Sequence, residues 1–332
     1  MTGNPQITFV CCVESGWLED QTVRMIESLR RWGGQLANSP MIAVTPRFGS
    51  PLSHKTHQAF KRLQVQYLRV PAKSKYSWFP YLNKPSSLVA AEEHSTTECV
   101  AWLDSDLLFV DEPEKFILNQ GEDFVACASD KNAGTSNPED LFEPYWNKIC
   151  QVLGIDIEDL PWITTEIEGI RIRLYWNGGI FVYRRSTDFG NHYLQNCIQL
   201  LDERIITKTP GFTLGIHEQS AVGLTMVKLG LPWRALPGSH NYATGSIDPT
   251  KWNIEEKLKA ARVLHYHDSM WPSFWPEFIK TLRTTHQPVA NWLDSLSPMK
   301  NEAPFHWRIT NQLLKKFRVR QESAYKESCK VI

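Results

Sequence analysis

The 332-residue sequence has no surplus of charge of either sign: Lys plus Arg and Asp plus Glu each number 36. A nucleic-acid-binding chain more often carries a basic excess, so no nucleic-acid partner is expected. The seven cysteines include no Cys-x-x-Cys pair, which argues against a zinc site. Cys99, Cys127 and Cys197 sit in apolar runs and read as small buried hydrophobes in a reducing, cytoplasmic compartment. The opening stretch "MTGNPQITFVCC" lacks a charged start followed by a long apolar run, and no stretch reaches about 18 uncharged apolar residues. Neither a signal peptide nor a membrane span is therefore expected. There is no internal repeat and no low-complexity tract.

What is present is an alternation of short apolar runs and helical patterns. "QITFVCCVE" reads as a strand that ends at Ser15 and Gly16, and "LEDQTVRMIESLRRWGG" as a helix stopped by Gly33 and Gly34. "PMIAVTP" and "LQVQYLRVP" are strands closed by Pro46 and Pro71, and "NKPSSLVAAEE" is a helix with Pro85 in its first turn. "ECVAWLDSDLLFV" and "DFVACASD" are further strands. The order predicts an α/β fold with a mostly parallel central sheet and helices on both faces, whose ligands bind at the carboxyl ends of the strands. Beyond residue 132 the pattern weakens. "NAGTSNPEDLFEPYW" reads as a loop, "YWNGGIFVYRRS" as a strand, "IHEQSAVGLTMVKLG" as a helix, and "AARVLHYHDSMWP" as a short strand. From Trp271 onward the chain reads as helical, with Phe278, Ile279 and Leu282 as a buried stripe.

Asp104-Ser105-Asp106 interrupts an apolar strand, and a bend or a second short strand is expected at Asp106. An Asp-x-Asp triplet is cheap: about one arises by chance in a chain of this size at roughly 5% Asp. The flanks raise its weight, because ionised carboxylates among Leu103, Leu107 and Leu108 are costly unless paired or metal-bound. Positions i and i+2 of a strand face the same way, so both carboxylates can reach one hard divalent cation. The alternative is an ordinary exposed strand end. His265 and His267 likewise share a face in a strand reading, and either is able to complete a carboxylate and imidazole set suited to manganese.

"NKPSSL", "AWLDSDLLFV", "WNGGIFVYRRS", "HEQSAVGL" and "VLHYHDSMWP" follow one another in the order seen in GT-A glycosyltransferases. The chain resembles the glycogenin and bacterial galactosyltransferase (family 8-like) type over residues 6 to 275. That resemblance implies a Rossmann-like nucleotide-diphospho-sugar transferase fold, a catalytic domain over residues 1–275, and a helical extension over 276–332. It implies a metal-dependent, retaining hexosyltransferase using a nucleotide-sugar donor, UDP-linked rather than GDP-linked. The acceptor is a carbohydrate, a lipid-linked or a small molecule. By resemblance, Asp104, Asp106 and His265 hold Mn2+ or Mg2+. Val13, Glu14, Ser15, Lys84 and Ser105 join the two Asp on the donor side, Asn177, Gly178 and Gly179 lie on the acceptor side, and Glu218 and Gln219 lie near the reacting carbon. The family's Lys-Pro-Trp after the histidine is absent, since "HYHDSMWP" stands there.

Bland alternatives remain for each: a first-turn helix pattern for Glu218, a tight turn needing positive φ for the Gly pair, a solvated helix-start residue for Lys84. Glu218 acting as general base would give inversion instead of retention. A non-catalytic nucleotide-sugar scaffold is the other reading. A sugar-phosphate nucleotidyltransferase would want a Gly-rich loop where "VESGWLED" has one Gly. A phosphatase would want its Asp pair near the start of the chain. The tail "FHWRITNQLLKKFRVRQ" is expected to form an amphipathic helix packed on the domain, or to attach to an anionic membrane surface through Trp307, Arg308, Lys315, Lys316 and Arg318.

Overall fold

The computed structural model describes residues 6–70, 74–244 and 254–332. The chain begins β1 (Ile7–Cys12), α1 (Trp17–Trp32), β2 (Met41–Thr45), α2 (His54–Arg62), β3 (Val65–Arg69), α3 (Asn83–Glu92). It continues β4 (Cys99–Leu103), β5 (Leu107–Phe109), β6 (Phe124–Cys127), α4 (Glu143–Leu153), β7 (Trp162–Thr164), β8 (Arg171–Arg173), β9 (Asn177–Arg184). After these come α5 (Phe189–Glu203), β10 (Ile205–Ile206), α6 (Gly215–Lys228), β11 (Trp233–Ala235), β12 (Tyr242–Ala243), α7 (Glu255–Lys259) and β13 (Val263–His265). Three helices, α8 (Trp275–Thr285), α9 (Gln287–Leu296) and α10 (Phe305–Glu327), lead to β14 (Lys330–Val331).

Seven strands form the main sheet in the order β11-β6-β9-β4-β1-β2-β3. All run parallel except β9, which is antiparallel to both β4 and β6. Helices cover both faces, as the fully buried β2, β4 and β6, and β1 up to Cys11, require. On one face Met25, Ile26 and Leu29 of α1 and Phe60 of α2 pack on Phe9 and Ala101. On the other, Leu88 of α3, Tyr193 of α5 and Val222 of α6 pack on Val10, Trp102 and Phe181. A second sheet, β12-β13-β5, turns β5 away from the main one. A third apolar cluster joins it to α8 and α9 through Leu108, Leu264, Phe278, Leu282 and Leu293.

The break expected at Asp106 is present, since β4 ends at Leu103 and β5 starts at Leu107. Two readings change. The stretch read as a loop after residue 132 runs into α4, whose buried Tyr145, Trp146 and Ile149 fill the core. The strand bearing the histidines stops at His265, because His267 has a positive φ of 49° and leaves the ladder.

Glu19 ties the first turns of this architecture together. It is fully buried. One carboxylate oxygen accepts from the Gly16 N–H, and the other from the Ser53 N–H and the Thr56 hydroxyl at the start of α2. Glu19→Ala leaves these buried donors unsatisfied and is expected to cost at least about 2 kcal/mol. Urea denaturation checks this, and an unchanged midpoint would contradict the role.

Candidate active site

A cleft of about 860 Å³ opens at the carboxyl ends of β1 and β4. Its floor is the 104–106 connection between β4 and β5. Two backbone bonds pin that connection: the Asp104 N–H donates to the Gly179 carbonyl (2.9 Å), and the Tyr266 N–H donates to the Asp106 carbonyl (3.0 Å). β13 pairs antiparallel to β5 with His265 opposite Leu107, which brings the histidine beside the two aspartates from far along the chain. One ligand atom each from Asp104, Asp106 and His265 lies within 4.8 Å of the others. His267 is not in that group, although its ring stacks on His265 at 4.3 Å.

The electrostatics follow from this crowding. His265 Nε2 lies 3.3 Å from Asp106 Oδ2. Burial disfavours charge on the imidazole, but Asp106 outweighs it and the His265 pKa is raised. Burial would likewise raise Asp106, and His265 reverses that so that it is lowered. Asp104 is raised, by burial first and by Asp106, against the pull of Lys84. Its Oδ1 accepts from the Trp102 indole N–H at 2.6 Å.

Lys84 is not a solvated helix-start residue. It is buried on α3 and donates to the Gly178 carbonyl at 2.7 Å. Its Nζ lies 3.1 Å from Glu218 Oε1 and 3.6 Å from Asp104 Oδ1. Burial opposes its charge, yet the two carboxylates push its pKa up to about 12. Glu218 is 2% exposed, and the Tyr193 hydroxyl also donates to it. Its neighbour Gln219 is half-buried on the cleft wall.

The Gly178-Gly179 pair has no positive φ; both residues lie in β9. Their reason is close approach. A Cβ on Gly178 would stand 2.8 Å from Lys84 Nζ, and one on Gly179 would stand 2.6 Å from the His265 ring. Asn177 lines the cleft, but its Oδ1 already accepts from the Gly179 N–H and from Asn241 Nδ2, each at 2.9 Å.

Of the donor-side residues read from the sequence, Glu14, Lys84, Asp104, Ser105 and Asp106 line the cleft. The Ser105 hydroxyl donates to Gln21 Oε1 at 3.3 Å. Ser15 lines an adjoining cavity of about 380 Å³ beneath α10, and Val13 is fully buried and lines neither. Glu14 belongs to both spaces and is clamped by Arg47, with Asn83 Nδ2 donating to it at 3.1 Å. Arg47, Trp102, Asp130 and Asn241 were not picked out from the sequence. Asp130 has one readable signal, its place just past the carboxyl end of β6. Among the described residues lining the cleft, Arg47 and Lys84 are the Lys or Arg side chains, and both are paired.

The tail helix differs from expectation in which residues face out. Arg308 donates to the Ala303 and Asn301 carbonyls, Arg318 to that of Phe48, and Trp307 is half-buried. The outward line is Phe305, Ile309, Leu313 and Phe317, four residues apart, with Lys316 and Arg320 beside it, while Lys315 borders the cavity beneath the helix. Among the described residues, no helix is long and apolar enough to cross a membrane. All seven cysteines are free thiols.

No curated protein matches the chain. Two of the solved structures it matches are the apo WbbM bifunctional glycosyltransferase (11% identity, TM-score 0.48, 85% of this chain and 50% of that one) and apo GlyE of Streptococcus pneumoniae TIGR4 (14%, 0.47, 88% and 64%). The chain thus spans about half the length of the first. The family model of the Rhodobacterales glycosyltransferase domain matches residues 9–230, a stretch that holds Lys84, Asp104, Asp106 and Glu218 but ends before Asn241 and His265. That match runs over more than half of the sequence, and the chain belongs to the Rhodobacterales glycosyltransferase domain family.

Proposed function

We propose that this glycosyltransferase is of GT-A type and moves a hexose from a nucleotide diphosphate sugar, UDP-linked in preference to GDP-linked, with Mn2+ or Mg2+. The observation that carries this reading is the convergence of Asp104, Asp106 and His265 on the floor of the large cleft. Two carboxylate oxygens and an imidazole nitrogen are a donor set for such an ion. When bound, the ion offsets charge growing on the diphosphate leaving group. Lys84, held beside Asp104, adds a fixed positive charge in a water-poor setting where it counts for more than in solution. The nucleoside end lies toward Glu14 and Ser15, and the acceptor toward Asn177 and Gly178.

Gln219 is the group offered to the sugar from α6, because the Glu218 carboxylate is already engaged by Lys84 and Tyr193. That engagement disfavours Glu218 as a general base and supports retention over inversion. The exposed apolar line of α10, flanked by cations, suits an anionic membrane surface and a lipid-linked acceptor on it. The free thiols fit a cytoplasmic setting.

Asp106→Asn is expected to lower Mn2+-dependent donor turnover on the order of 10²-fold or more, since a metal's electrostatic contribution is worth several kcal/mol. Turnover near the wild-type rate, with the fold intact by circular dichroism, would remove the metal role. Because the raised His265 pKa sets protons against metal at Nε2, Mn2+ affinity should weaken as pH falls. The decline should begin above the range of an ordinary imidazole, about 6.5. Calorimetric titration across pH reads this, and a flat profile contradicts it. Sedimentation with vesicles rich in phosphatidylglycerol should pellet the wild type and leave a Leu313→Glu/Phe317→Glu variant in the supernatant. No pelleting of the wild type would sink the membrane contact.

A further inference from the structure

The amide and imidazole orientations around His265 are fixed by a chain of hydrogen bonds that starts at an unambiguous donor. The Gly179 backbone N–H lies 2.9 Å from the Asn177 side chain and can only donate, so the atom facing it must be oxygen. That same oxygen meets the Asn241 side-chain amide at 2.9 Å. Two carbonyl oxygens would repel there, so Asn241 presents its NH₂ to Asn177. Its own Oδ1 then faces the other way, 3.2 Å from His265 Nδ1. An amide oxygen only accepts, so Nδ1 must carry a hydrogen. The remaining ring nitrogen, Nε2, is the one that faces Asp106 at 3.3 Å.

We propose that Asn241, oriented by Asn177, is a positioning residue that holds hydrogen on His265 Nδ1 and so leaves Nε2 as the ring nitrogen turned to the Asp104–Asp106 pair. The function of the relay rests on the metal reading above. Its existence does not. Asn241 is 1% exposed and lies just before β12, so it has no solvent to exchange partners with. Asn177 starts β9, the strand whose Gly179 carbonyl also holds the Asp104 N–H. One strand start therefore sets the first aspartate by its backbone and the histidine by its side chain. Outer partners of this kind fix ring orientation, and losing them weakens metal binding about 10–100-fold.

The test uses the full chain without metal, at pH about 9, above the range of an ordinary imidazole. Nitrogen-15 shifts of His265 read the tautomer, and calorimetry with MnCl₂ reads affinity. The wild type should carry hydrogen on Nδ1, whether or not Nε2 also holds one toward Asp106. Asn241→Leu should lose that preference and bind Mn2+ about 10–100-fold more weakly. Asn241→Asp loses the donor to Asn177 Oδ1 but keeps an acceptor for Nδ1–H, and should retain the Nδ1 hydrogen, which a purely structural role would not predict. Asn177→Ala, which removes the orienting oxygen, should give a mixed population. A bare Nδ1 in the wild type overturns the proposal, as does an unchanged Nδ1 hydrogen with unchanged Mn2+ affinity in a folded Asn241→Leu protein. Nδ1–H in a wild type that binds no Mn2+ supports the relay and overturns the metal reading instead.

Discussion

The site depends on a charge imbalance held in a small, largely dried space. Three carboxylates, Asp104, Asp106 and Glu218, face one ammonium, Lys84, and one imidazole, His265. Unit charges about 4 Å apart at an effective dielectric near 20 interact by about 4 kcal/mol, so no member of the set is free to move alone. Lys84 answers Glu218 and Asp104, and His265 answers Asp106. Fully ionised, and even with His265 protonated, the set would hold three negative charges against two positive ones, and burial raises Asp104 and Glu218 against that excess. Glu218 is sealed in, whereas the side chains of Asp104 and Asp106 remain 29% and 24% exposed on the cleft side. The uncompensated charge is therefore the charge that a cation arriving from the cleft can reach.

That cluster can exist only because two glycines, Gly178 and Gly179, follow Asn177 at the start of β9. Lys84 comes from α3 beneath the sheet and His265 from β13 beside it, and the two approach the same strand start at Gly178 and Gly179. A side chain at either position would meet the ammonium or the ring at under 3 Å. The reversed direction of β9 matters for the same reason. It puts the strand's first residues, instead of its last, at the carboxyl ends of β4 and β6. A loop entering the sheet thus supplies site residues where the parallel strands leave it.

Much of this was legible in sequence because it is local. The apolar runs of β1, β2 and β4, the Gly33 stop, and the break at Asp106 each follow from neighbouring residues. The Asp pair stood out because its flanks are apolar, unlike the carboxylates of "DIED" at 156–159, which sit at the surface end of a turn. What was not legible is non-local. The stripe of α5, Phe189, Tyr193, Cys197, Leu200 and Leu201, has helical spacing, but its intervening Asn, Gln and His residues blunt the pattern. Lys84 looks solvated until Glu218, on a helix far along the chain, is seen to reach it. Asn241 carries no signal at all, since its meaning comes from one oxygen on Asn177 and one nitrogen on His265. His267 was misjudged for a local reason: a histidine can take a left-handed backbone, and two residues past the ladder it does.

The end of the chain is coupled to its beginning by the same kind of balance. The inward face of α10 rests on the loops that follow β1 and β2, with Asn311 Nδ2 donating to the Ser15 carbonyl and Arg318 to that of Phe48. Arg318 is pulled down by burial and by the nearby Arg47 guanidinium, and Glu14 opposes that pull. Glu14 is also the residue that Arg47 clamps and that borders both cavities. Glu14 thus offsets, for both guanidiniums, the charge that α10 brings to the cleft wall. The contacts that seat α10 on these loops go to backbone carbonyls, so they stay in place whatever the cleft side of Arg47 meets.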